Sequence, residues 1–552
     1  MKKLISLVLA LTMLFALMAP AASVSAADER TPIIYIRGNG ENIYREDGSI
    51  VPARFENLEL GGESSGIDKD TIVETAVNIL KPFILEGMLF DNWDNYGKAI
   101  YDEISPLFKD SGLDYNGNPT SGSTVSAQVL ADSEASSHSA YKFNINDSYR
   151  FCYDWRLSPY DHVERLHTFV QNVMKATGAT QVSLYARCLG GSLLSAYVDT
   201  YGKEGHIKNV MFSDVLSNES TMVSKAFSGQ IEFDAKTVER FIAQTEYCDE
   251  INYGVGFTFN GLIHEIVFES MAFFNQINAT DGVLDGVEEL YEKLYKALVP
   301  ALCHAIGFAT QVNNWSCVAE EDMDTALDLM FGKEGSELRT KYAVLINKIQ
   351  LYRNNISKDL VGFYDRAKAN GIHIGFVAKY GFINMPLTKD ADLLSDTMVS
   401  VEHATMGATC AKVGQTLSDS YIASHDSKYI SPDKQIDLST AYAPDSTWIF
   451  KNNHHSMDWA SEPVIKAFLN GTNETVESLG MPRFYMVDQK TNTCVAMTED
   501  NCADLDFMTL PVEEPTTESI FVAAMRWFTL LFKVIGMLLK GEISFGEAKE
   551  IL

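Results

Sequence analysis

The chain is poor in basic residues and poor in cysteine. It sets 44 lysines and arginines against 74 acidic residues, for a net charge of -30. The summed field repels polyanions, which excludes nucleic acid and an anionic membrane as partners of the whole molecule. Only eight cysteines occur in 552 residues (Cys152, Cys188, Cys248, Cys303, Cys317, Cys410, Cys494 and Cys502), and no two form a Cys-x-x-Cys pair. A disulfide scaffold and a thiolate zinc or redox centre are therefore not expected. Cys494 and Cys502 are near enough in sequence to bridge across a hairpin. The acidic run Asp390-x-Asp392 with Asp396 lacks what a calcium loop needs, with Ser395 in place of glycine and Val401 in place of glutamate. Neither a metal nor a cofactor is expected.

At the N-terminus, Lys2 and Lys3 precede an apolar run from Leu4 to Ala19, then Pro20 and the small residues Val24-Ser25-Ala26. This is the pattern of a secretory signal peptide over residues 1–26, so the protein is expected to be exported, either extracellular or associated with the cell surface.

Beyond it the hydrophobic pattern alternates. Pro32 to Ile36 reads as a buried strand running into Arg37-Gly38-Asn39-Gly40, and a helix is expected from about Asp70 to Gly87. Residues 111–139, rich in Gly, Ser and Asn, suggest a long surface loop. Strands follow at Tyr149–Tyr153, Gln181–Tyr185, Lys208–Phe212, Ile372–Ala378 and Trp448–Phe450. Helices are expected over 160–177, with Val163, Leu166, Phe169, Val170 and Val173 on one face, over 190–201 and over 458–469. Strand–helix alternation is the signature of an α/β fold, a mostly parallel sheet flanked by helices.

The core is expected in two parts, 27–218 and 366–480. Residues 219–365 interrupt it with long helical stretches carrying Phe257, Phe259, Phe268, Phe273 and Phe274, read as a cap or as a second packed helical unit. Residues 481–510 suggest an appended hairpin and 511–518 an acidic linker. In 519–552, Arg526, Thr529, Lys533, Gly536 and Lys540 share one helical face amid apolar residues. Two central cations make a spanning helix costly, at about 2.5–3.5 kcal/mol each. An amphipathic C-terminal helix lying in a membrane surface through 520–540, or docked on protein, fits better.

The chemistry concentrates at Ala186-Arg187-Cys188-Leu189-Gly190-Gly191. A nucleophile between strand and helix needs small residues two positions to either side, because the tight turn leaves no room for more. Ala186 and Gly190 meet that need. The start of a helix favours an anion and so lowers a thiol pKa. In the chain order nucleophile, acid, histidine, the acid is Asp396, in Asp396-Thr397-Met398-Val399, and the base is His455 or its neighbour His454.

The segment Tyr153-Asp154-Trp155-Arg156-Leu157, then a helix and the elbow, resembles the lecithin:cholesterol acyltransferase family of α/β-hydrolases, which includes lysosomal phospholipases. The resemblance covers about residues 30–215 and 370–470. It implies an α/β-hydrolase fold, an Asp-x-x-Val acid like Asp396 and a late histidine like His455. It also implies an oxyanion site formed by the N–H of Leu189 and of the loop near Asn39. The family elbow has glycine and serine where this chain has Ala186 and Cys188, which moves the expectation from a simple lipase toward a thiol esterase or acyltransferase. The expected activity is acyl transfer from an ester or thioester, lipid-like or not, through an acyl-enzyme on Cys188. The alternative is an inactive α/β-hydrolase-fold protein serving in binding or envelope assembly.

Overall fold

The computed structural model describes residues 31–39, 41–53, 78, 79, 81–125, 142, 143, 148–230, 240, 241, 243, 244, 247, 248, 285–384 and 392–509. The signal segment, Asp390, the aromatic run from Phe257 to Phe274, the linker and the C-terminal helix lie outside these residues.

Nine strands form one sheet: β1 (Ile33–Ile36), β2 (Lys142–Phe143), β3 (Ser148–Phe151), β4 (Val182–Arg187), β5 (Ile207–Ser213), β6 (His373–Tyr380), β7 (Thr447–Lys451), β8 (Phe484–Asp488) and β9 (Thr493–Ala496). Their order across the sheet is β9-β8-β7-β6-β5-β4-β1-β3-β2. The two edge pairs, β8–β9 and β2–β3, are antiparallel, and every other pair is parallel. This is the mostly parallel sheet of an α/β fold. The chain leaves β1 toward one side and β4 toward the other, so the crevice at their C-terminal ends is the topological switch point.

Period-two alternation explains how the sheet is buried on both faces. Ile34, Ile36, Leu184, Ala186, Val210, Phe212, Phe376 and Ala378 fill one core with helices α1 (Val163–Thr177), α2 (Gly190–Tyr201) and α3 (Leu360–Ala369). Ile33, Tyr35, Tyr185, Met211, Val377, Trp448 and Phe450 fill the other with α4 (Glu462–Asn470). The five apolar residues expected on one face of the helix at 160–177 are all buried, and Gly178, at φ 73°, ends that helix in the left-handed region. The helix expected from about Asp458 begins at Glu462, because Pro463 suits only a first helical turn.

Three expectations are corrected. Of the surface loop expected over 111–139, residues 126–139 lie outside the described residues, and 111–125 is not simply a surface loop. Asp110, Ser111 and Ser123 are buried, and Thr124–Val125 pairs with Ile43–Tyr44. The cause is Arg156, whose guanidinium donates to the carbonyls of Asp110 (2.7 Å) and Ser123 (3.0 Å) and draws the segment inward. The helix expected from about Asp70 to Gly87 is described only from residue 78 and passes into a π-helix over Phe83–Leu89, and a further helix, unread in the sequence, follows over Trp93–Ile104, capped by Asn92, with Trp93, Tyr96 and Ile100 buried. Finally, no bridge joins Cys494 to Cys502, and all eight cysteines are free. Their thiols bond separate carbonyls, those of Ala460 and Glu499.

Within the insertion, Phe227, Val299, Trp315, Leu327, Phe331, Leu345 and Ile349 make a core of their own. The 3-10 turn Val312–Cys317 connects this unit to the sheet, as the Ser192 hydroxyl at the start of α2 donates to the Asn313 side chain.

Candidate active site

β4 ends at Arg187, and Cys188 takes φ 53°, the left-handed strain of a side chain held at a tight corner. The small residues have specific causes. A Cβ on Gly190 would lie 2.3 Å from the Ile36 carbonyl oxygen, and one on Gly191 would lie 2.6 Å from the Val215 Cβ. Across the crevice, a Cβ on Gly38 would lie 2.8 Å from the Cys188 Cβ, 2.9 Å from the Leu189 nitrogen and 3.1 Å from the Cys188 Sγ. The loop after β1 therefore lies directly against the thiol, and only glycine permits the approach. Leu189 is buried, with its N–H close enough to the sulfur to favour the thiolate, and Asn39, next along the loop, is exposed.

Asp396 is fully buried. Its Oδ1 accepts from the N–H groups of Met398 (2.9 Å) and Val399 (2.8 Å), so the Asp-x-x-Val pattern is a local turn closed by the aspartate side chain. Its Oδ2 lies 2.7 Å from the Nδ1 of His455. A main-chain bond from the His455 N–H to the Asp396 carbonyl (2.9 Å) fixes the two loops together. Of the two adjacent histidines, His455 is the one that meets the acid. His454 packs edge-on against Phe382, its Nδ1 accepts from the Ser456 N–H, and burial lowers its pKa to about 3.

The electrostatics of the pair are mutual. Burial alone would push the His455 pKa down, but the Asp396 carboxylate and the Cys188 thiolate outweigh it and raise it to about 10. Burial alone would push the Cys188 pKa up, but the His455 imidazolium, Arg187 and the Leu189 N–H outweigh it and hold it below the ordinary thiol value. Both shifts favour a thiolate–imidazolium pair. With Nδ1 taken by Asp396, the side of His455 that interacts with the Cys188 thiol is Nε2, which has no other hydrogen-bond partner among the described residues.

Several residues around the site went unread in the sequence. Lys379 is buried 2.8 Å from Asp214 and 3.1 Å from Asp458, and Asp458 also pairs with Arg187. Two cations and two carboxylates thus balance beneath His455, a requirement for charges taken out of water. Asp214, at φ 46°, follows β5 and is signalled in sequence only by its place at a strand end. Tyr153 is buried within electrostatic reach of Cys188, and its hydroxyl is without a hydrogen-bond partner among the described residues. In the same segment Asp154 and Arg156 form a two-pronged pair, Nε to Oδ1 at 3.0 Å and Nη2 to Oδ2 at 2.7 Å. Asp392, from the rejected calcium-like run, pairs with Lys412 at 2.7 Å.

No protein-family model and no curated protein matches the chain. Among solved structures, the crystal structure of the Tle4-Tli4 complex contains a similar chain, 12% identical, with 92% of this chain and 98% of that chain covered and a TM-score of 0.26. A likeness that weak carries no argument about activity. Among the described residues, no helix is long and apolar enough to cross a membrane.

Proposed function

We propose that the protein is an acyl hydrolase or acyltransferase that works through a cysteine nucleophile. The observation that carries this reading is the 2.7 Å Asp396–His455 contact beside a strained, half-buried Cys188 whose thiol pKa the imidazole lowers. The Cys188 thiolate attacks the carbonyl carbon of an ester or thioester. The negative charge that moves to the carbonyl oxygen is held by the Leu189 N–H and the loop at Gly38 and Asn39. Collapse expels the alkoxide or thiolate, which takes the proton from Nε2 of His455, and an acyl-thioester remains on Cys188. Neutral His455 then accepts a proton from water, an alcohol or an amine as that acceptor attacks, and the thiolate leaves. Asp396 holds the imidazole ring and balances its charge throughout. Thioesters yield readily to amines and thiols, so transfer competes with hydrolysis here more than at a serine enzyme.

The reading extends to an exported, surface-associated enzyme with a lipid-like ester as substrate, helped onto membranes by residues 520–540. The export pattern at 1–26 and the amphipathic face carrying Arg526, Lys533 and Lys540 support this. The test is intact-mass analysis of the protein after brief exposure to acyl esters of graded chain length. An acyl adduct at Cys188, absent in Cys188→Ala, is expected. No adduct at any chain length would favour a non-catalytic binding protein.

A further inference from the structure

A second group of chemistry-bearing side chains lies at the opposite end of the central strands from Cys188. His206 immediately precedes β5, and its carbonyl accepts the N–H of Val182 at the start of β4 (2.8 Å). Cys188 follows the other end of that strand, six residues on from Val182, a span of about 20 Å at the usual rise. Beside His206 stand Glu204, in the turn after α2, and His167, on α1.

Three observations single this group out. First, one ligand atom from each of His167, Glu204 and His206 lies within 4.8 Å of the other two. The Glu204 Oε2 is 3.4 Å from the His206 Nδ1 and 3.8 Å from the His167 Nε2. Tetrahedral zinc with bonds of about 2.0–2.1 Å sets its ligand atoms roughly 3.3 Å apart, so the separations are close to those of a metal cradle.

Second, His206 is only 5% exposed, and its Nδ1 makes no hydrogen bond among the described residues. A buried nitrogen lone pair aimed at a carboxylate is unfavourable unless a cation or proton stands between them.

Third, the outer nitrogens are already held. The Tyr197 hydroxyl lies 2.7 Å from the His206 Nε2 and 3.2 Å from the His167 Nδ1. A phenolic oxygen has two acceptor lone pairs, so it can take an N–H from both rings. That arrangement turns the remaining His206 Nδ1 lone pair toward Glu204, while the His167 Nε2, 3.8 Å from the Glu204 carboxylate, also lies 3.5 Å from the Gln171 side-chain nitrogen at the surface. Metal-binding histidines are commonly oriented by an outer partner in this way. The His167 ring is further stacked on Tyr201, with centroids 4.0 Å apart.

We propose that His167, Glu204 and His206 bind a Zn2+-class divalent cation, with water completing the tetrahedron. Two neutral imidazoles and one carboxylate, with no sulfur, suit borderline ions over calcium or magnesium. The ion would tie α1, the turn after α2 and the start of β5 together, at the opposite end of the strands from the thiol.

The test is calorimetric titration of the metal-free full-length protein with Zn2+, together with Co2+ absorption spectra. One equivalent is expected to bind tightly, with the Co2+ form showing no sulfur-to-metal charge-transfer band, which separates this site from the cysteines. Glu204→Gln and His167→Gln, both at partly or fully exposed positions, should weaken binding about 100-fold, and Tyr197→Phe about 10–100-fold. Thiol labelling at Cys188 should be unchanged in Glu204→Gln. Absence of tight binding, a cobalt–sulfur band, or unchanged affinity in Glu204→Gln and His167→Gln would overturn the assignment.

Discussion

The guanidinium of Arg187 donates to the main-chain carbonyl of His455 and pairs with the carboxylate of Asp458. The residue before Cys188 therefore also anchors the loop that carries His455, and strand β4 positions both. Arg187→Met leaves Asp458 with Lys379 alone and frees the His455 carbonyl. A loss of about 3–5 kcal/mol in urea unfolding is expected, as for other broken buried pairs. Adding Asp458→Leu should recover part of that loss, since an apolar pair in the same volume is often neutral. An Arg187→Met protein as stable as the parent would mean the network holds nothing in place.

Asp396→Asn keeps the size of the side chain and both main-chain N–H bonds to it while removing the charge beside His455. Turnover of a short p-nitrophenyl ester should fall by about 10^4, the scale seen when a triad acid is lost. Folding, followed by circular dichroism, should persist. His454→Gln, which removes a ring that does not meet Asp396, should cost far less activity. The reverse ranking would reassign the base.

The thiolate–imidazolium pair makes a pH prediction. An ordinary cysteine titrates near a pKa of about 8.5, and Cys188 is held below its ordinary value, so its alkylation rate should already be on its plateau where a free thiol is still rising. Burial pushes Cys152 and Cys303 up to about 12 and Cys494 up to about 11, so they serve as slow internal controls in peptide mass mapping. Ester turnover should decline again near pH 10, as His455 loses the proton that the leaving group needs. A Cys188 labelling midpoint at the free-thiol value would show that His455 does not activate it.

Two glycines separate chemistry from folding. Gly38→Ala places a methyl group against Cys188 and the Leu189 nitrogen, so turnover should fall tenfold or more. Gly190→Ala drives its methyl group into the Ile36 carbonyl under the elbow and should destabilise the fold by about 1–3 kcal/mol, read in the denaturant midpoint. Wild-type turnover in Gly38→Ala would remove the loop after β1 from the oxyanion site.

Local pattern carried much of this. The spacing of Val163, Leu166, Phe169, Val170 and Val173 marks a half-buried helix, because a 3.6-residue period turns those side chains to one side. Ala186 and Gly190 mark the corner because their crowding is local. The turn at Asp396 closes within three residues, so its motif is legible as well. What separates His455 from His454, adjacent in sequence, is contact with an acid 59 residues away.

The sequence by itself determined the alternating elements, the corner at Cys188 and the local turn at Asp396, since each depends on periodicity or on sterics within a few residues. Only the tertiary structure decided that Arg187 holds the loop of His455, 268 residues on, and that Arg156 draws in Asp110 and Ser123. It alone decided that His167 faces Glu204 and His206. Those pairings join polar side chains from elements distant in sequence, and no period in the chain encodes them. They form where the packed sheet and helices exclude water and leave each buried charge or lone pair to find its partner.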